Sequence, residues 1–258
     1  MRWLIAFLFW TGWAQADDLI EVDVELLLAV DVSRSMEPFE LEIQRRGYAA
    51  ALRSPEVHRV IQRGMLGYIA LSYVEWAGDQ RVIVPWTVIQ TPQDANAFAD
   101  ALTVQFEEGY RRTSISGALD FGMKSINTNR FIGLRRVIDV SGDGPNNLGA
   151  PVSAARDRAV ADGIVVNGLP LMTRRDGPTA LWGIEDLDVY YENCVIGGPG
   201  AFVIPVTRWD DFEDAVTRKL ILELAGTSER LWQAQTLAYN CLIGEQIWER
   251  NRGLFAYP

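Results

Sequence analysis

The sequence predicts an α/β fold: a doubly wound, mostly parallel central sheet with helices on both faces and one antiparallel edge strand. Three observations lead there. Strand-like apolar runs alternate with helix-periodic segments along most of the chain, the pattern of stacked β–α units. The first run, Val24 to Val30 (VELLLAV), is almost continuously apolar, which suits a central parallel strand covered on both faces. Leu66 to Trp76 and Arg81 to Ile89 are two further strand-like runs joined through Gly78-Asp79-Gln80. So short a link implies a hairpin, and Pro85 inside the second run suits an edge.

The elements follow in order. After the first strand, Phe39, Ile43, Tyr48 and Leu52 recur at helical spacing, with Pro38 near the start, so a helix is expected from about Pro38 to Leu52. Pro55 interrupts it, and a short helix should continue through Val60. Beyond the hairpin, Pro92 and Asp94 open a helix to about Phe106. The loop Glu107 to Arg112 leads to a helix from about Ser114 to Ile126. Val137 to Val140 is a strand that runs into the loop Ser141-Gly142-Asp143-Gly144-Pro145-Asn146-Asn147. A helix over Val152 to Ala161 and a strand over Ile164 to Leu169 follow Gly163. A Gly/Pro-punctuated insertion, 173–200, comes before a final strand, Ala201 to Val206, and a final helix, Trp209 to Leu224.

The N-terminus reads as an export signal. Arg2 supplies a positive end, Trp3 to Trp10 an apolar core, and Ala14-Gln15-Ala16 a small-x-small cleavage site. The apolar core is short for a membrane span. The expected organisation is a signal peptide over 1–16, one domain over 17–226 with an insertion at about 173–200, and a C-terminal tail over 227–258. The signal implies an exported chain, periplasmic or secreted, and since no later segment reaches transmembrane length the mature product is expected to be soluble. The formal net charge of −10 argues against nucleic acid as partner, since phosphate contacts need clustered Lys and Arg. The basic pairs Arg45-Arg46, Arg111-Arg112, Arg135-Arg136 and Arg174-Arg175 read as solvated element ends. The two cysteines, Cys194 and Cys241, are too few for a soft-metal site. In an exported chain they are expected to form one disulfide between insertion and tail.

Three separated segments place oxygen-bearing residues near strand ends, where open α/β sheets bind ligands. The first is Asp31-Val32-Ser33-Arg34-Ser35. The second is Thr113-Ser114-Ile115-Ser116-Gly117-Ala118-Leu119, and the third Asp143-Gly144. An Asp-x-Ser-x-Ser turn offers one carboxylate and two hydroxyls, hard donors of the kind Mg²⁺ or Ca²⁺ takes. Taken singly, each segment also has an ordinary reading: Ser35 or Thr113 as a helix N-cap, Asp143 as a turn residue.

Together and in this order, the segments resemble von Willebrand factor A domains and integrin inserted domains. The likeness runs from roughly Val22 to Leu224, and is greatest to the small exported bacterial members, whose role is undefined. It implies a metal-ion-dependent adhesion site made from Asp31, Ser33, Ser35, Thr113 and Asp143. The hydroxyls of such a site usually touch the metal, and one or both acids often act through water. The implied cation is Mg²⁺, with Mn²⁺ or Ca²⁺ as substitutes. The implied partner is a protein supplying an Asp or Glu carboxylate. One departure stands out: the family commonly has Thr-Asp-Gly where this chain has Ser141-Gly142-Asp143-Gly144, so the extra glycine could displace Asp143.

Other candidates carry less. His58 is the only histidine, in a helical stretch, so a Ser-His-Asp triad could use only His58, and no Gly-x-Ser-x-Gly elbow is present. Asp139 lies on a buried strand and is left without a role. The Gly142–Gly149 loop lacks the Lys-Ser/Thr of a phosphate loop. The nine Trp residues read mainly as core and tail packing. The expected function is a non-enzymatic, metal-dependent protein-binding module for adhesion or assembly. The alternatives are a metal-dependent phosphoester or ester hydrolase, and a structural protein with a vestigial site.

Overall fold

A computed structural model describes residues 19–103, 111–173, 181–226 and 239–255. The expected signal peptide, and most of the loop before Thr113, lie outside these residues. Five strands, β1 (Ile20–Asp31), β2 (Ile69–Trp76), β3 (Gln80–Ile89), β4 (Phe131–Gly142) and β5 (Ile164–Pro170), form one sheet in the order β3-β2-β1-β4-β5. Strand β1 is parallel to β2 and β4, β4 is parallel to β5, and β3 is the antiparallel edge. The helices are α1 (Pro38–Arg53), α2 (Pro55–Gln62), α3 (Pro92–Leu102), α4 (Ile115–Thr128), α5 (Val152–Ala161), α6 (Leu187–Tyr190), α7 (Phe212–Ala225) and α8 (Ile243–Asn251). The doubly wound α/β class expected from the sequence is the one observed.

The apolar run of β1 explains the layering. From Val22 on, every residue of β1 is buried. Leu26, Leu28 and Val30 join one core beneath α1, α3 and α7, while Leu27 and Ala29 join the core under α4 and α5. Alternate side chains of a strand point to opposite faces, so only a strand covered on both sides reads as continuously apolar. Helix starts are also local. Thr91 caps α3 ahead of Pro92: its Oγ1 accepts from the Asp94 N–H at 3.2 Å, and Asp94 Oδ2 accepts from the Thr91 N–H at 2.8 Å. At Gly122 on α4, a Cβ would lie 2.8 Å from Ile138 Cδ1, so the glycine lets the helix sit close on β4.

Several expectations are corrected. Strand β4 begins at Phe131, not Val137, because β1 reaches back to Ile20 and pairs with residues from Phe131 onward. Exposed Ile132 and Leu134 hide the pattern of that half. Arg135 and Arg136 therefore lie inside a strand, with Arg135 Nη2 donating to the Leu224 carbonyl at 3.0 Å. Arg45 is not a solvated end either: it is buried, and its Nε donates to Glu75 Oε1 at 2.6 Å. The segment 201–206 runs beside β5 but forms only the isolated bridges Gly168↔Val203 and Leu171↔Val206. Pro205 removes one donor from that ladder. The final helix is split into a 3-10 turn, Trp209–Asp211, and α7.

The insertion is not a loose loop where it is described. α6 and the π-turn Tyr191–Val195 bury Tyr190, Tyr191 and Cys194 in the second core. Cys194 and Cys241 are joined by the expected disulfide, with a Cα–Cα distance of 5.5 Å. Among the described residues, no helix is long and apolar enough to cross a membrane.

Candidate metal centre

Strands β1 and β4 are parallel neighbours, with Val30 beside Ser141, so their carboxyl ends deliver Asp31 and Asp143 to the same edge. Asp31 is 0% exposed. Its Oδ1 accepts from the Ser33 N–H at 2.7 Å, which closes the turn, and its backbone carbonyl accepts from Gln44 Nε2 on α1 at 3.0 Å. The Ser33 and Ser35 hydroxyls are 2.8 Å apart, and Ser35 Oγ donates to Asp143 Oδ1 at 2.9 Å, across 108 residues of sequence. The Asp143 N–H faces Asp31 Oδ2 at 3.4 Å. Four of the five residues singled out in the sequence are thus joined in one network: the Ser33, Ser35 and Asp143 oxygens meet directly, and Asp31 is tied in through the Ser33 and Asp143 N–H groups.

Thr113 is tied to the loop that follows Asp143. Its N–H donates to Asn147 Oδ1 at 3.0 Å, and its carbonyl accepts from the Asn147 N–H at 2.8 Å. The Ser116 N–H donates to Asn146 Oδ1 at 3.0 Å. Asn146 and Asn147 thereby join the loop after Asp143 to the start of α4. Sequence reasoning passed over both asparagines; their signal was an Asn-Asn pair in a loop already of interest, since amides can bond backbone at two points.

The ordinary readings of Ser35 and Thr113 do not hold. At the start of α1, it is Glu40 Oε2 that accepts from the Glu37 N–H at 2.7 Å. At the start of α4, it is Ser114 Oγ that accepts from the Gly117 N–H at 3.2 Å. With the extra glycine in place, Asp143 Oδ1 still accepts from Ser35 Oγ at 2.9 Å. Gly142 is the last residue of β4, paired with Pro170. A Cβ there would lie 2.8 Å from Tyr191 Oη and 2.9 Å from Asp31 Oδ2, so glycine is what fits.

Chemically, the group suits a hard cation. Burial, and then the neighbouring Asp143, push the Asp31 carboxyl up to about 8. A cation would favour the ionised form and reverse both effects. Tyr191 Oη, beside this group, is buried and has no hydrogen-bond partner among the described residues. Among the described residues, no three His, Cys, Asp or Glu side chains converge. A metal here would be held by hydroxyls with two carboxylates, an all-oxygen set of the kind Mg²⁺ and Ca²⁺ take. Asp31, Ser33, Thr113 and Asp143 are buried, Ser35 is half-buried, and Arg34 between the two serines is exposed. His58 is far from it: α1 carries the chain about 24 Å away before α2 begins. Asp139, on β4, pairs instead with Lys219 of α7 at 2.9 Å.

The profile of the family described as "Protein of unknown function (DUF1194)" matches residues 21–228. No curated protein matches the chain in sequence. Among solved structures, proximal thread matrix protein 1 from the mussel byssus aligns with a TM-score of 0.55 at 14% identity, over 81% of this chain and 49% of that one. A form of that protein with a zinc occupied MIDAS motif aligns with a TM-score of 0.53, at the same 14% identity and over the same shares of the two chains. The pilus adhesin SpaC from Lactobacillus rhamnosus GG gives 0.57 at 12% identity, over 80% and 32% of the two chains. A von Willebrand factor type A protein from Catenulispora acidiphila gives 0.53 at 11%, over 79% and 43%. The chain spans about half or less of each of these proteins, and at such identities the likeness is one of fold. It carries the von Willebrand factor A type of fold and belongs to the DUF1194 family.

Proposed function

We propose that this protein is an exported binding module that captures an Asp or Glu carboxylate of a protein partner through a divalent cation. The cation, Mg²⁺ in the first place and Mn²⁺ or Ca²⁺ as substitutes, would be held by Asp31, Ser33, Ser35, Thr113 and Asp143. The observation that carries the reading is the hydrogen-bonded network from Asp31 through the Ser33 N–H, and on through the Ser33 and Ser35 hydroxyls, which cap no helix, to Asp143. Two carboxylates balance a divalent charge without excess, so the ion keeps affinity for one more oxygen, and a partner carboxylate is a strong, directional choice. Exposed Arg34 beside the group favours an acidic visitor. The mussel protein's zinc occupied MIDAS motif lends support by analogy of fold. Export is supported by the Cys194–Cys241 disulfide, a bond that persists in oxidising compartments.

The test is affinity capture from the exported fraction on immobilised protein. A partner should be retained in Mg²⁺, released by EDTA, and absent from an Asp31→Ala column. Equal retention in all three overturns the reading.

A further inference from the structure

The C-terminal segment 239–255 is tied to the body of the protein by Cys194–Cys241. It does not then lie at random. Three of its contacts converge on the loop that carries Asp143 and on the segment that carries Thr113. First, Glu245 Oε1 accepts from Asn146 Nδ2 at 2.7 Å. The neighbouring Gly244 sits so close that a Cβ would fall 2.0 Å from the Asn146 carbonyl oxygen, so α8 can approach only with glycine there. Second, the Trp248 ring lies under the Arg112 guanidinium, 3.5 Å from it, with Trp182 packed against Trp248 at 5.1 Å. Third, the Tyr239 ring meets Tyr190 edge-on at 6.1 Å, and Tyr190 Oη accepts from the Asn146 N–H at 3.1 Å.

Arg112 makes the second contact informative. Among the described residues it is the one non-glycine residue with positive φ, at +76°. A residue with a Cβ is held there only when its surroundings insist. Here Arg112 Nη2 donates to the Asn147 carbonyl at 3.1 Å while the guanidinium rests on Trp248. Thr113, the next residue, is bonded through its own N–H and carbonyl to the same Asn147.

We propose that the segment 239–255 is an integral part of the metal centre, with Arg112, Glu245 and Trp248 as positioning residues that hold Thr113 and the 143–149 loop in register with Asp31. The proposal rests on the metal-centre reading above. The tail acts on the cation through Asn146 and Asn147, and through no donor of its own. Partners of metal ligands commonly set affinity in this way.

The test uses the full mature protein with its disulfide intact, in four variants: Trp248→Ala, Trp248→Phe, Glu245→Ala, and Arg158→Ala as a control on the exposed α5 surface. Two readouts are taken. One is amide hydrogen exchange of the metal-free protein over 111–116 and 143–149. The other is the Mn²⁺ dissociation constant by calorimetry. Trp248→Ala and Glu245→Ala should speed exchange in both segments while β1, β2 and β4 stay protected, and should raise the dissociation constant roughly tenfold. Trp248→Phe should recover most of both, since its ring face still receives the guanidinium. Arg158→Ala should change neither. Unchanged exchange in both segments overturns the proposal, as does faster exchange with an unchanged dissociation constant. If Trp248→Ala does not fold, Glu245→Ala, which removes one contact, decides by the same criteria. A wild type that binds no Mn²⁺ overturns the metal-centre reading and the tail's role in it. That failure is told apart from failure of the tail contacts because the exchange measurement needs no metal.

Discussion

Lys219→Met should cost about 3–5 kcal/mol of folding stability near pH 8, the usual result of removing one partner from a buried ion pair. Lys219, on α7, is 1% exposed, and its Nζ lies 2.9 Å from both Asp139 Oδ1 on β4 and Glu223 Oε1 one helical turn on. The two acids are 1% and 2% exposed, and Asn167 Nδ2 also donates to Glu223 Oε1, at 3.0 Å. One ammonium thus faces two carboxyls. Burial, and then Glu223, push Asp139 up to about 7, against the pull of Lys219. Burial works to discharge Lys219, but Asp139 and Glu223 outweigh it and hold its pKa above the ordinary lysine value. With methionine in place, both acids lose their counter-charge, and proton uptake at Asp139 is the remaining relief. The sign follows from linkage. A carboxyl with a raised pKa holds in the folded state a proton that the unfolded chain gives up above about pH 4. Stability is therefore greatest below that value and falls as pH climbs to the folded pKa. For Asp139 in the wild type the fall ends near 7; in the variant it should run higher. Urea unfolding followed by circular dichroism, at about pH 5.5 and about pH 8, measures this. The deficit of Lys219→Met should shrink at the lower pH, and adding Asp139→Asn with Glu223→Gln should recover much of it. A variant as stable as the wild type near pH 8, or a deficit that does not depend on pH, would refute the reasoning.

Four further expectations are simpler. Asp31→Ala should abolish Mn²⁺ binding in calorimetry with an unchanged far-UV spectrum, and Ser33→Ala should weaken binding in the same direction but less. Mn²⁺ at a hundred times its dissociation constant should stabilise the wild type by about 2.7 kcal/mol in denaturant and leave Asp31→Ala unmoved. Replacing Cys194 and Cys241 with serine opens a loop closed across 47 residues. Chain entropy puts the cost at roughly 4 kcal/mol, read as a lower urea midpoint. Intact-mass analysis of the exported protein should find a mature N-terminus at Asp17, within about two residues; a retained Met1 in a membrane pellet would contradict export by cleavage.

The sequence by itself determined whatever depends on near neighbours. The run VELLLAV announces a strand buried on both faces, because an almost continuously apolar strand suits cover on both sides. Pro38 and Pro92 mark helix starts because a residue without an N–H is tolerated there. Asp31, Ser33 and Ser35 share one turn, so their convergence is nearly a local fact. Only the tertiary structure decided what lies across the sheet. That Ser35 reaches Asp143 across 108 residues follows from the adjacency of β1 and β4. The first half of β4, with Arg135 and Arg136 inside it, is a strand only because β1 offers it a ladder. Which hydroxyls remain for a cation depends on Glu40 and Ser114 having taken the cap bonds. That a C-terminal helix presses on Asn146 depends on a disulfide and on the missing side chain of Gly244. Local periodicity reports which face of an element is covered; it carries no record of what covers it, nor of which polar groups are left over once the backbone is satisfied.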